Sequence, residues 1–179
     1  MKLSAKLICY HLQKSFSMHT SRLDTFPTLS CPSCFEKSMP LQDGRVYLIT
    51  DPDFQPTFHH PKNILFLMIG KAYQNYELSQ PNMCIIPEDL PVNTVFNKLQ
   101  DIFILYDQWN QSLMDSRLRN ASIQELLDLT TSIIPNPMML IGMDFTIIAS
   151  RGWDLGDLSN SVLGSSENSW DIVDSLKQD

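Results

Sequence analysis

The chain has 179 residues, only 18% of them charged, and its 13 lysines and arginines stand against 20 acids for a formal net charge of −7. The basic residues are scattered, without the stripe that neutralises a row of phosphates, so this chain alone is a poor nucleic-acid binder. Its longest apolar runs, "ILFLMIG" (64–70) and "MMLIGM" (138–143), are too short to span a bilayer, which argues against a membrane partner.

The first segment, "MKLSAKLICYHLQKS", has a short apolar centre and no small-residue cleavage site. It therefore does not read as a signal peptide, and a cytoplasmic location is expected. Cys9, Cys31, Cys34 and Cys84 fit a reduced compartment with no disulfide framework. Leu3, Leu7, Ile8, Leu12 and Phe16 recur at helical spacing and predict a first helix over residues 4–15. A polar, Pro- and Ser-containing stretch over 17–40 reads as loop with room for one short strand. Then "DGRVYLIT" supplies a turn and a strand over 46–50. Prolines 52, 56 and 61 exclude a regular helix from "DPDFQPTFHHPKN". "ILFLMI" is apolar on both faces, as a central buried strand is, and "KAYQNYELSQ" is a short amphipathic piece leading to a third apolar strand, "MCIIP" (83–87). Three such strands beside helices predict a small α/β layer packing within an α+β chain. The proline-rich connection departs from a standard parallel crossover.

A long amphipathic helix opens after "PEDLP". Pro91 suits the first turn, and Glu88 and Asp89 place negative charge near its N-terminal dipole. It extends to about Leu118. With Val92 as heptad position a, the a positions are Val92, Leu99, Tyr106 and Leu113, and the d positions are Val95, Ile102 and Trp109. Phe96 and Phe103 widen the stripe, and Ser116 ends it. The first half of this stripe reads as core against the preceding strands. Tyr106, Trp109 and Leu113 read as an interdomain or intersubunit contact, so a homodimer through this helix is the expected partner. Ser122 and Glu125 in "SIQELLDL" make a capping-box signature for a further helix. "IIPNP" breaks it, and "MMLIGMDFTIIAS" reads as a hairpin. The Gly/Ser-rich stretch from Gly152 reads as loose, before a short terminal helix "SWDIVDSLKQ". No repeat of solenoid period is visible. The chain thus divides into a small α/β domain (1–90), a connector helix (91–119) and a C-terminal α+β segment (120–179).

Few residues point to chemistry. Cys31 and Cys34 form one C-x-x-C, whereas a structural zinc site takes four ligands, usually from two such pairs. A redox motif would follow a strand and open a helix, and "DTFPTLS" is not a convincing strand. His59 and His60 fall in the proline-rich loop with Asp51 and Asp53 and read as surface. There is no G-x-S-x-G, P-loop or G-x-G-x-x-G, so no catalytic, metal or cofactor-binding residue is assigned and no enzyme is expected.

Taken together, "MCIIPEDLPVNTVFNKLQDIFILYDQW", "SIQELLDL" and "NPMMLIGMDFTIIAS" resemble the N-terminal part of PucR-like (purine-catabolism-regulator-like) bacterial transcription factors. That resemblance implies a small α/β domain leading through a helix into a GAF-like sensor domain, with DNA contacted by a C-terminal helix-turn-helix domain absent from this chain. A GAF-like domain is longer than the segment 122–179, so the resemblance also implies a truncated form, a gene fragment or a degenerate copy. The function it implies is the sensory and dimerising region of a one-component regulator responding to an unknown small-molecule effector. The alternative is a free-standing protein–protein interaction module, in which the helical stripe docks a different partner.

Overall fold

The computed structural model describes residues 1–37, 39–50, 63–73, 78, 81–143 and 146–152. The proline-rich loop with His59 and His60, most of "KAYQNYELSQ", and the loose stretch and terminal helix expected after Gly152 lie outside the described residues. The chain is α+β and divides into two compact units, Met1–Asp107 and Gln108–Asp179. The division falls inside the long helix.

The first unit is built on a five-stranded sheet in the order β1-β5-β4-β3-β2. Its centre is β3 (Arg45–Ile49), β4 (Leu65–Ile69) and β5 (Met83–Ile86), mutually parallel and almost wholly buried. A parallel strand covered on both faces is apolar at every position, which is why "LFLMI" shows no alternation. Despite its prolines, the connection over 50–64 joins two parallel neighbours. The edges are β2 (Cys31–Cys34), parallel to β3, and β1 (His19–Thr20), antiparallel to β5. Both lie in the stretch read as mostly loop, which also pairs Leu29 with Leu3 in an isolated bridge. An edge strand needs only one row of backbone bonds, so "CPSC" pairs even with a proline in it.

Register assigns the two faces. Tyr47, Phe66 and Met83 are partners, as are Ile49, Met68 and Ile85, and they form one apolar cluster with Ile64 and Tyr73 that Phe35, Leu41 and Leu78 cover. Leu48, Leu67 and Cys84 line up on the opposite face. There α1 (Ala5–Leu12) lies against the sheet, its Cys9 sulfur 3.0 Å from that of Cys84. Ser4 caps α1 by accepting from the Leu7 N–H, and the helix stops at Leu12, three residues before the predicted end. The long helix, α2 (Val92–Leu118), lies beside α1 on this face, where His11 and Tyr106 share a 2.9 Å hydrogen bond. Gly44 opens β3 at φ 74, where an added Cβ would stand 3.1 Å from the Thr28 carbonyl oxygen. That left-handed turn needs glycine.

In the second unit α2 ends in a left-handed residue, Asn120 at φ 56. The Ala121 N–H bonds back to the Ser116 carbonyl and the Asn120 N–H to that of Arg117, a complete Schellman motif. The predicted capping box opens α3 (Ile123–Leu129): Ser122 Oγ accepts from the Glu125 N–H, while the Ser122 N–H donates to Glu125 Oε2 at 2.8 Å. The hairpin is also present, as β6 (Met138–Ile141) and β7 (Ile147–Arg151). Gln124 of α3 bonds both the N–H and the carbonyl of Ser150, so one side-chain amide covers part of the outer edge of β7. Among the described residues, no helix is long and apolar enough to cross a membrane.

Candidate functional site

Val95, Leu99 and Ile102 are at most 3% exposed, and Phe103 is buried with them. Tyr106, expected with Trp109 and Leu113 as an interdomain or intersubunit contact, is instead buried within the first unit, because α1 packs on it: its ring is edge-on to His11 and its hydroxyl bonds the imidazole. Four of the seven stripe positions therefore belong to the core of the first unit. Val92, Trp109 and Leu113 are half-buried, the last two in the second unit. Burial resumes at Ser116, where the sequence pattern stops.

Beside this stripe α2 carries a second apolar line that the heptad reading missed. Ile104 and Leu118 are fourteen residues apart, two heptads on the same side, and Met114 lies on their flank. All three are exposed, Leu118 at 82%. The positions between them on the same side of the helix, Asp107, Gln108, Gln111 and Asp115, are polar, which hides the line from a search for an unbroken seam.

The His11–Tyr106 pair is the polar centre of the α1–α2 contact. Burial, then repulsion from Lys14 and Lys98, holds the His11 imidazolium below the usual histidine range. Burial likewise raises the Tyr106 phenol, with Tyr10 adding to it. Neutral imidazole and neutral phenol are thus the pair that persists near neutrality. The arrangement joins α1 to α2.

A cleft of about 540 Å³ opens at the elbow of the second unit, lined by Ser116, Arg119, Asn120, Glu125, Asp128 and Leu129 among others. Its charged groups are engaged locally. Arg119 donates to Ser116 Oγ and the Asp115 carbonyl, Glu125 closes the capping box, and Asp128 accepts from Gln124. The cleft is mixed in sign, with one arginine against two carboxylates.

At the carboxyl end of the parallel strands, where such sheets hold ligands, Asp89 accepts from the Lys71 N–H at 3.0 Å and faces the Lys71 ammonium at 3.4 Å. The backbone bond from Lys71 is the main cause that lowers its carboxyl below the ordinary value. Asp89 was expected at the N-terminus of α2; its carboxylate turns to Lys71 instead, and the first turn holds no acid.

The C-x-x-C falls on β2 in extended conformation. Positions three apart on a strand point to opposite faces, so Cys31 and Cys34 do not converge on one ion or one bond. Cys31 instead takes a contact from the Arg45 guanidinium. Among the described residues no three His, Cys, Asp or Glu side chains are grouped as a metal site. No protein-family model, curated protein or solved structure matches this chain.

Proposed function

We propose that this chain is the sensory and dimerising region of a one-component, PucR-like bacterial transcription regulator, working in the cytoplasm. DNA contact is assigned to a helix-turn-helix domain outside this chain. One observation carries the reading: a single 27-residue helix gives its first half to the core of an α/β unit and continues with Trp109, Met114, Leu113 and Leu118 half-buried or exposed. A helix serving only the first unit has no use for those turns. A second copy that covers the second half removes this apolar surface from water. Signalling then requires two helix arrangements of differing stability, one favoured when an effector or partner engages either unit.

A free-standing interaction module is the second reading, and the hairpin favours it. Ile141 and Ile148 on the short two-stranded sheet, and Met143 in its turn, are exposed, a surface suited to a different protein. The coding DNA downstream of the Asp179 codon separates the two. A frame that runs on into further apolar strands and a basic helix-turn-helix supports the regulator. A stop codon with no remnant beyond it would overturn that reading in favour of the module.

A further inference from the structure

Two thiols are buried against each other in the first unit. Cys9 lies on α1 and Cys84 on the central strand β5; they are 1% and 0% exposed, with their sulfurs 3.0 Å apart. Both are reduced. Cys31 and Cys34 diverge across β2, so Cys9 and Cys84 are the pair within reach of a bond after a small shift of α1. Two hydrophobes would fill this space without their reactivity. Their location also gives a bond between them leverage: one end is on a terminal eight-residue helix, the other in the middle of the sheet.

We propose that Cys9 and Cys84 are a reversible oxidation site, joined as a disulfide by a small hydroperoxide, and that the bond clamps α1 to the sheet. The hydrogen bond with Cys9, and then burial, raise the Cys84 thiol well above its ordinary range; the first attack is assigned to Cys9 because it sits on the terminal helix α1, which opens, while Cys84 stays in the central strand β5. The Cys9 thiolate attacks one oxygen of hydrogen peroxide, the O–O bond breaks, and the departing hydroxide takes up the thiol's proton as water. The Cys84 sulfur then attacks the sulfenic acid on Cys9. An S–S bond forms, and the hydroxyl leaves with the Cys84 proton as a second water. Two thiols are oxidised and one peroxide is reduced to two waters. Because the pair is buried, the reaction proceeds through local opening of α1, and closure of the bond ends that opening. His11, two positions after Cys9, carries the clamp to Tyr106 on α2.

The test is mild hydrogen peroxide on the full chain, followed by alkylation of free thiols under denaturing conditions and peptide mass mapping. We expect one cross-linked peptide pair containing Cys9 and Cys84. The melting temperature should rise by about 5 °C or more, return with dithiothreitol, and show no such rise in Cys84→Ala. A double variant, Cys31→Ser with Cys34→Ser, removes intermolecular bonds from the comparison. If Cys84→Ala does not fold, Cys9→Ser serves as the control, and reversal of the wild-type shift by reductant stands by itself. The proposal is overturned if both thiols stay alkylatable at a dose that oxidises exposed Cys34, or if Cys9 is driven to sulfinic acid with Cys84 still free.

Discussion

His11 and Tyr106 are 95 positions apart in sequence, and their shared hydrogen bond joins the first helix to the long one. Its pH dependence has a definite sign. Burial and the charges of Lys14 and Lys98 lower the folded-state pKa of His11 below its ordinary value of 6.5. On acidification the unfolded chain therefore binds the proton before the folded one does, and stability rises with pH across that window. The His11 contribution should be unchanged above the unfolded value, diminish as pH falls from 6.5 to the lowered folded value, and then level off. Urea midpoints measured between about pH 7.5 and 5 check this. His11→Gln should flatten that part of the profile; an unaltered slope in the variant would assign it to other groups.

At the scale of elements, the capping box that opens α3 is a local device with a local effect. Ser122→Ala removes the acceptor for the Glu125 N–H, and should cost about 1 kcal/mol in the second unit while leaving the sheet of the first unit unaffected. Hydrogen exchange should show faster exchange confined to the first turn of α3. This box was legible from Ser122 and Glu125 alone because both partners lie within one turn. The buried strands β3 to β5, the extent of α2 and the hairpin were legible for a similar reason, since each carries its signal in its own composition. Edge strands β1 and β2 were not, because their pairing comes from neighbours and their residues are polar, proline or cysteine. The contacts His11–Tyr106 and Cys9–Cys84 join residues whose proximity only the folded sheet creates. The second apolar line of α2 was hidden by the polar residues within it. Four sequence expectations (the proline-rich loop, most of the amphipathic piece, the loose stretch after Gly152 and the terminal helix) fall outside the described residues.

At the scale of the whole molecule, α2 has two kinds of apolar residue and they should respond differently to substitution. Leu99 is fully buried, so Leu99→Ala should destabilise the first unit by about 2–5 kcal/mol. Leu118→Ser removes an exposed side chain and should change chain stability by no more than about 0.5 kcal/mol, while weakening self-association. Denaturant unfolding and concentration-dependent sedimentation, run on both variants, separate the two roles. The central claim is that the second half of this helix pairs two copies of the chain, and its most direct test is the mass in solution by light scattering. Wild type should be a dimer, and Trp109→Glu a monomer whose first unit retains its near-ultraviolet circular dichroism. A wild-type chain that stays monomeric at high concentration would contradict the account.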